Sequence, residues 1–306
     1  MLFRLASPKR FQSTMISVLL PLVLCCLAAA AQTESVLHSF TGTDGDGGLP
    51  WAGLTRDAKG ALYGTTQYGG TSNAGTIFQL TPPAVAGGAW TETVLHSFNG
   101  AGEGAYPIGK LILDKHGVIY GTTQQGGIEA CFGRPFDGCG TVFRLNPPSS
   151  TGEAWTYRTI YKFQGGSIDG AYPLGGVIFD SQGALYGSTH LGPGGSYSTG
   201  IIYKLSPPTS GSGSWIENIL YQFQAGSDGA DPAGNLAMDV SGNLFGTSQG
   251  GAQAMTALFS SSHLRKLPEV PGRSACSTGL LARRVDLGQT VTSYSAMEAS
   301  CLERRP

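Results

Sequence analysis

A stretch of eleven residues, GALYGTTQYGG from Gly60 to Gly70, recurs along this chain and limits what it can fold into. The later copies are GVIYGTTQQGG from Gly117, GALYGSTHLG from Gly183 and GNLFGTSQGG from Gly242. Successive copies are about 57 to 66 residues apart, which is longer than most solenoid repeats and close to the length of a propeller blade. The chain is therefore predicted to be built from repeated units.

The composition favours strands and turns over helices. The 306 residues include 47 glycines and 17 prolines, and 41% are hydrophobic, so a large core with many turns is expected. Charged residues make up only 13%, and the formal net charge is -1. A nucleic-acid-binding or membrane-surface protein usually carries a basic surface, and this composition gives no sign of one. Neither kind of partner is predicted.

Each unit contains the same four strand-forming segments. An acidic, glycine-rich loop ends in proline, and the short apolar segment after it is joined by an Asp-x-x-Gly turn to the recurring LYGTT segment. A third segment, such as GTIFQL, ends near a pair of prolines, and a tryptophan opens the fourth. The units cover about residues 46–98, 103–163, 169–223 and, in part, 228–251. Residues 34–40 match a fourth segment.

Four antiparallel strands repeated at this interval predict an all-β fold. The specific prediction is a β-propeller-like array of four-stranded antiparallel blades of about 60 residues, incomplete at the C-terminus. An open array of sheets and a β-sandwich with tandem halves are the alternatives. Beginning on a fourth strand favours the propeller, because ring closure often pairs a strand from one end of the chain with strands from the other.

Residues 1–31 have the features of an export signal. Basic residues up to Arg10 precede an uncharged apolar run from Met15 to Ala30, and small residues come just before Gln32. A transmembrane anchor is the alternative, but the run is short for a membrane span. We therefore expect the signal to be removed on export, with no membrane span remaining, and the protein to be secreted or at the cell surface.

Residues 252–306 do not continue the repeat, and the third segment due after Gly251 is missing. A one-base shift of the back-translated sequence can turn residues 254–261 into Asn-Asp-Gly-Thr-Val-Phe-Glu-Leu, which matches the missing segment. The same shift turns residues 297–306 into another copy of the recurring stretch. The hypothesis is that this tail is an out-of-frame, disordered translation of further repeats. A genuine divergent tail is the alternative, and rereading the gene distinguishes the two.

The recurring motifs resemble the GloVer tandem-repeat family of bacterial exported proteins. The resemblance rests on the acidic loop before proline, the Asp-x-x-Gly-x-Leu-Tyr-Gly-Thr-Thr motif, the Gly-Thr-x-Phe-x-Leu segment and the closing Leu-His-Ser-Phe, and it covers about residues 34–251. It implies an extracellular repeat protein, in some members with a C-terminal surface anchor, which is not recognisable here. It implies no established activity and no catalytic residues.

Two cysteines, Cys131 and Cys139, lie in a loop that is longer than its counterparts in the other units. Export to an oxidising compartment favours a disulfide between them. A metal site is the alternative, but no histidine or third cysteine is nearby in sequence.

Acidic residues recur at one position of the loop that opens each unit. In the first loop, Asp44 and Asp46 alternate with glycine and resemble part of a calcium loop without its later glutamate. The equivalent residues Glu103, Asp169 and Asp228 are alone in their loops. Turn capping is the favoured role for these acids, and weak binding of cations or polar ligands is the alternative. No metal and no cofactor are predicted.

Aromatic residues occur at two kinds of position. Those of the recurring stretch are expected in the core between units, and they are Tyr63, Tyr120, Tyr186 and Phe245. Others lie in loops, where they are candidates for contact with carbohydrate or peptide, and they are Tyr68, Tyr106, Tyr172 and Tyr197. His38 and His96 are interpreted as solvated, with Lys162 and Gln222 in their place in later units.

The function predicted from these features is that of a secreted, non-catalytic repeat protein that binds an extracellular glycan or protein. The first alternative is a glycan-acting propeller enzyme, in which Asp46, Glu103, Asp169 and Asp228 converge on the axis. Recurrence of these acids at one position in every unit favours a structural role instead. A truncated product without function is the second alternative.

Overall fold

The computed structural model describes residues 34–132, 134–135, 138–150, 152–194, 199–209, 213–250 and 257–260. The predicted export signal, Tyr197 and residues 261–306 of the predicted tail lie outside these ranges. Within them, the regular structure is β-strand apart from a single 3₁₀ turn at Gly226–Asp228. The all-β prediction is confirmed.

The strands follow one another in short antiparallel pairs. In chain order they are β1 (Gly47–Pro50), β2 (Thr55–Arg56), β3 (Leu62–Gly69), β4 (Thr76–Thr81), β5 (Thr91–Ser97), β6 (Ile112–Leu113), β7 (Ile119–Thr123), β8 (Ala130–Cys131), β9 (Arg134–Pro135), β10 (Thr141–Asn146), β11 (Thr156–Lys162), β12 (Ile178–Phe179), β13 (Leu185–Thr189), β14 (Ile201–Ser206), β15 (Ile216–Gln222), β16 (Ala230–Pro232), β17 (Ala237–Met238), β18 (Asn243–Gly246), β19 (Ser248–Gly250) and β20 (Ala257–Ser260).

Each of three units forms one antiparallel sheet whose strands neighbour one another in sequence order. The first sheet has the order β1-β3-β4-β5, with β2 also paired to β3, the second β6-β7-β10-β11, and the third β12-β13-β14-β15. In the fourth unit β17, β18 and β20 pair in that order, and β16 pairs with β19. The meander of four antiparallel strands predicted from the repeat is therefore present in the first three units.

The Asp-x-x-Gly turns form as predicted. In the first, one carboxylate oxygen of Asp57 accepts the backbone N–H groups of Lys59 and Ala61, both at 2.9 Å, and Gly60 closes the turn with a φ of +93°. An L-residue disfavours such a φ, because its Cβ would meet the backbone, whereas glycine tolerates it. The same carboxylate bonds recur at Asp114, Asp180 and Asp239.

Aromatic side chains join each unit to the next. The phenylalanine that follows a fourth strand packs on the aromatic residue in the third strand of the next unit. The ring centroids are 4.7 Å apart for Phe40 and Phe78, 5.4 Å for Phe98 and Phe143, and 5.1 Å for Phe163 and Tyr203. Both faces of the second strands β7 and β13 are buried, because each sheet packs between two neighbours.

The residue before the loop proline connects neighbouring units through its backbone. Tyr106 donates its N–H to the carbonyl of Ala74 in the preceding unit at 2.8 Å, and its own carbonyl accepts the N–H of Gln124 at 3.1 Å. Tyr172 is bonded in the same way to Cys139 and His190. Both tyrosines have a φ of +57°, a conformation that costs stability in a non-glycine residue and persists because bonds on both sides fix it.

The prediction of a strand at residues 34–40 is wrong, since this segment is irregular. A strand needs a neighbour for its ladder of hydrogen bonds, and the third strands β4, β10 and β14 are already paired on both edges. Phe40 nevertheless occupies the position of the later phenylalanines against the following third strand.

The prediction that the fourth unit lacks its third strand is also wrong. β20 pairs with β18, with Ser260 opposite Asn243 and Ala257 opposite Gly246. In the complete units an aromatic residue stands opposite this glycine, as Phe78 stands opposite Gly64. The backbone ladder therefore forms without the sequence of the repeat.

Candidate functional site

The acidic loops come just before the first strand of each unit, and three of the four recurring acids are bound inside their own loops. Asp46 accepts the backbone N–H and hydroxyl of Thr41 at 2.7 and 2.8 Å, and the N–H of Gly47 at 2.6 Å. Burial pushes the pKa of Asp46 upward, but these hydrogen bonds outweigh it and leave the pKa below its ordinary value. Asp44 is exposed at the tip of the same loop.

The third and fourth loops repeat this arrangement. Asp169 accepts the N–H of Gln164 at 2.7 Å and that of Gly170 at 2.6 Å, and Asp228 accepts the N–H of Gln224 at 2.8 Å. Glu103 departs from the pattern, because its backbone carbonyl, not its carboxylate, accepts the hydroxyl of Tyr157 at 2.5 Å. Asp46, Asp169 and Asp228 therefore hold their loops closed.

Three of the four acids also belong to a cluster of three polar side chains at the boundary between two units, which we call a boundary cluster. Its members are the acid, the residue two before the fourth-strand phenylalanine, and a residue near the start of the next fourth strand. The three clusters are His38, Asp46 and Glu92; His96, Glu103 and Tyr157; and Tyr161, Asp169 and Glu217.

In the third boundary cluster one tyrosine bridges two carboxyl groups. The hydroxyl of Tyr161 lies 3.1 Å from Asp169 Oδ2 and 2.9 Å from Glu217 Oε2. A hydroxyl has one proton, so both bonds are satisfied when one carboxyl is protonated and donates to the hydroxyl oxygen. Burial, together with the charge of Asp169, raises the pKa of Glu217 to about 7. Burial also raises the pKa of Asp169 and, with the two nearby carboxylates, that of Tyr161.

In the second boundary cluster a histidine stacks on a tyrosine. The rings of His96 and Tyr157 are 4.3 Å apart and nearly parallel, at 6°. His96 Nε2 lies 3.5 Å from Glu103 Oε2. Burial lowers the pKa of His96, although Glu103 opposes this. The interpretation of His96 as a solvated residue is wrong, because the imidazole packs between units.

Lys162 and Gln222 are not the counterparts of His38 and His96, contrary to the prediction. Tyr161 and Tyr221 occupy the place of His38 and His96, each two residues before the phenylalanine, and each contacts the acid of the following loop. Lys162 and Gln222 are one position later, where Ser39 and Ser97 stand in the earlier units. The position is therefore always occupied by a side chain that pairs with the loop acid.

Sequence reasoning identified the acids but missed Glu92, Tyr157 and Glu217. These residues contact loops more than forty positions away in the chain, so no local motif indicates the pairing. A signal was nevertheless available, because each one stands two residues after the tryptophan that opens a fourth strand.

The aromatic residues of the recurring stretch lie between units as predicted. Tyr63 and Tyr186 are each 5% exposed and Tyr120 is 8% exposed. Trp155 covers Tyr63 at 6.4 Å, and Phe179 covers Tyr120 at 5.0 Å. Phe245 is the exception at 37% exposed, because the described part of the chain contains no later unit to cover it.

The loop tyrosines differ in exposure. Tyr68 is 37% exposed, and its ring lies 5.2 Å from that of Tyr106, which comes from the next unit and is partly buried. Tyr172 is 9% exposed and packs in the core, so its ring is not open to a ligand. Tyr68 and Tyr106 therefore form a partly open aromatic pair, which we call the tyrosine pair.

The lengthened loop is closed by the predicted disulfide. Cys131 and Cys139 are bonded, and both are fully buried. A Cβ placed on Gly165, in the third acidic loop, would lie 2.7 Å from Cys139 Sγ. The disulfide is therefore packed against the loop that carries Asp169.

The burial of Asp169 limits the chemistry of the third boundary cluster. Asp169 is 3% exposed and is bonded on both carboxylate oxygens. Asp169 and Glu217 form a carboxyl pair bridged by Tyr161, but in a glycosidase the substrate must reach both members of such a pair. The hydrogen bonds of this pair with Tyr161, which comes from the preceding unit, instead hold two units together.

Comparison with known proteins identifies a family. The model of the Gloeobacter/Verrucomicrobia repeat matches residues 25–259, a range that includes most of β20. None of the curated proteins matches. Among solved structures, an inulosucrase from Halalkalicoccus jeotgali bound to kestose has 12% sequence identity and a TM-score of 0.42 over 74% of this chain and 68% of that chain. This likeness is too low to assign a fold or an activity.

The described residues contain no helix with the length and hydrophobicity that a bilayer span requires.

Proposed function

Because the chain belongs to the Gloeobacter/Verrucomicrobia repeat family, we propose that it is a secreted, non-catalytic module that binds an extracellular glycan. The observation that carries the proposal is the tyrosine pair, which presents two aromatic rings from adjacent units. Aromatic faces provide large contact area together with a hydroxyl group for hydrogen bonds. The carboxyl groups of Asp169 and Glu217 bond to Tyr161 and do not offer a comparable open site.

The backbone around the tyrosine pair supports this role. Tyr106 is fixed by hydrogen bonds to Ala74 and Gln124, and Tyr68 lies in β3, where it pairs with Gly48 of β1. Rings on such a framework lose little conformational entropy when they bind a ligand. The site is therefore preorganised.

Export is part of the proposal. Residues 1–31 have the sequence pattern of a signal peptide, and the Cys131–Cys139 disulfide is of the kind that persists in oxidising compartments. Sequencing the N-terminus of the secreted protein should give Gln32 as its first residue.

We further propose that the sheets are blades of a β-propeller. Support comes from the two ends of the array, where residues that are buried in middle units become exposed. Leu54 in the first unit is 41% exposed, whereas the equivalent Leu111 and Val177 are 1% and 2% exposed. Phe245 is exposed at the other end. In a closed ring both faces would be covered by a neighbouring blade.

Binding to polysaccharides tests the function directly. Affinity electrophoresis with xylan, pectin, cellulose derivatives and bacterial exopolysaccharides should show retardation of the native chain by at least one of them. Tyr68→Ala and Tyr106→Ala should each weaken that binding about tenfold, which corresponds to a loss of about 1.4 kcal/mol of stacking.

Two control variants separate stacking from general damage. Tyr68→Phe keeps the ring and should retain most of the affinity. Leu49→Ala removes an exposed apolar side chain at the position equivalent to Tyr106 and should leave binding unchanged. Equal loss in Leu49→Ala and Tyr106→Ala would contradict a role for the tyrosine pair.

A further inference from the structure

The first boundary cluster brings together three side chains of types that bind metal ions. A ligand atom from each of His38, Asp46 and Glu92 lies within 4.8 Å of the other two. His38 Nε2 is 3.7 Å from Asp46 Oδ1, which is longer than a hydrogen bond. Zinc ligands at about 2.0–2.2 Å from the ion are about 3–4 Å from one another. The spacing therefore suits an ion between the side chains better than direct contact.

Two atoms of this cluster have no partner among the described residues. His38 Nε2 and Glu92 Oε1 are both shielded from solvent, and neither takes part in a hydrogen bond there. Buried polar atoms are almost always satisfied in folded proteins, by the chain or by something bound to it. An additional group between these side chains would satisfy both atoms at once.

The other boundary clusters place different side chains at these positions, although His96 Nε2 and Glu217 Oε1 also have no hydrogen-bond partner among the described residues. In the third, the Tyr161 hydroxyl occupies the place of the histidine and bridges the two carboxyl groups directly. In the second, Tyr157 replaces Glu92 and stacks on the histidine. Within the described part of the chain, the first cluster is thus the one that combines an imidazole with two carboxylates.

We propose that His38, Asp46 and Glu92 bind a divalent transition-metal ion such as zinc. Imidazole with carboxylates is a ligand set that suits zinc and its neighbours in the transition series, whereas calcium and magnesium prefer oxygen ligands alone. Water or an external ligand completes the coordination. Thr41 holds Asp46 through Oδ2, and Oδ1, which accepts the N–H of Gly47, faces the histidine, so these bonds orient the ligand.

The ion would fasten the beginning of the repeat domain. His38 lies in the irregular segment before β1, Asp46 lies in the first acidic loop, and Glu92 lies in β5. No strand ladder holds residue 38, so coordination would take the place of the ladder that fixes the fourth strands of later units. This role is independent of glycan binding by the tyrosine pair.

Cobalt provides a spectroscopic probe for the site. The full chain, with its free thiols alkylated to exclude binding by cysteine, is titrated with Co²⁺ alone, and the visible absorption of the bound ion is followed. One equivalent should bind, Zn²⁺ should displace it, and His38→Gln and Glu92→Gln should each lower the affinity at least about tenfold. Zn²⁺ should also raise the melting temperature of the native chain.

Variants of the second boundary cluster serve as matched controls. His96→Gln changes the equivalent histidine, and Glu103→Gln removes the carboxylate of the second cluster by the same chemistry; both should leave Co²⁺ binding intact. Melting without metal shows whether each variant is folded. The proposal is overturned if the native chain binds no Co²⁺, or if the His38 and Glu92 variants, folded without metal, bind it as tightly as the native chain does.

Discussion

At the scale of single residues, the recurring acids stabilise the boundaries between units, and each boundary satisfies its acid differently. A histidine faces the acid in the first two boundary clusters, and a tyrosine faces it in the third and at Asp228. Such interchange is possible because histidine and tyrosine both present a flat ring with a polar group at its edge. The cluster around Tyr161 is the most sensitive of these to pH.

Glu217 should make stability depend on pH. Its pKa in the folded chain is about 7, above the ordinary value of 4.5, so folding favours the protonated form. This contribution to stability is complete below about pH 4.5 and is lost as the pH rises through about 7. Asp169, also with a raised pKa, contributes in the same direction. In urea unfolding, Glu217→Gln should abolish about 1–2 kcal/mol of the decline between pH 5 and 8, after allowance for solvent screening.

An exposed glutamate provides the comparison for this prediction. Glu129→Gln changes a solvent-facing carboxylate in the same way. Its stability should follow the native pH profile. A Glu217→Gln profile that also coincides with the native one would show that the buried carboxyl is not the titrating group.

The residues of the loops and boundary clusters show how much of the site could be predicted from the sequence. Asp46 and Asp169 were found because they recur in a local motif, and the disulfide was found because its cysteines are close in sequence. Glu92, Tyr157 and Glu217 were missed because the acids of their clusters lie more than forty positions away in the chain and the third members lie before their own units. The unequal exposure of Tyr68 and Tyr172 could not be read from equivalent loops, since packing by the neighbouring unit decides it.

At the scale of strands, the glycine of the recurring stretch allows the third strand to pack closely. A Cβ on Gly121 would lie 2.7 Å from both Leu111 Cδ2 and Phe143 Cζ, which are fully buried. The equivalent Gly64 has Phe78 at 2.6 Å. The motif keeps this glycine because an aromatic side chain from the opposite strand occupies the space.

Replacing that glycine should destabilise the fold. Gly121→Ala forces buried side chains from their positions and should cost about 2 kcal/mol in the free energy of unfolding by urea. Gly53→Ala is the matched change, since its Cβ would have its nearest neighbour, Lys110 Cδ, at 3.9 Å. Its effect should be within about 0.5 kcal/mol. Equal effects of the two changes would mean that close packing is not the reason for the glycine.

At the scale of the whole molecule, the period of the repeat predicted the strand order of the complete units, because each sheet is formed by consecutive segments. The period could not predict which segments at the two ends of the array form strands. Residues 34–40 match a fourth strand in sequence but are irregular, and β20 forms without the motif. The proposal that residues after about 253 are out of frame would supply further units to cover Phe245.

Binding without cleavage is the central claim, and one measurement tests it most directly. The native chain is incubated with the polysaccharide that it binds best, and new reducing ends are counted beside the bound fraction. We predict binding with no reducing ends above background, and the same result for Glu217→Gln and Asp169→Asn. Reducing ends that appear with the native chain and disappear with either variant would show that the buried carboxyl pair is catalytic, and would contradict the account.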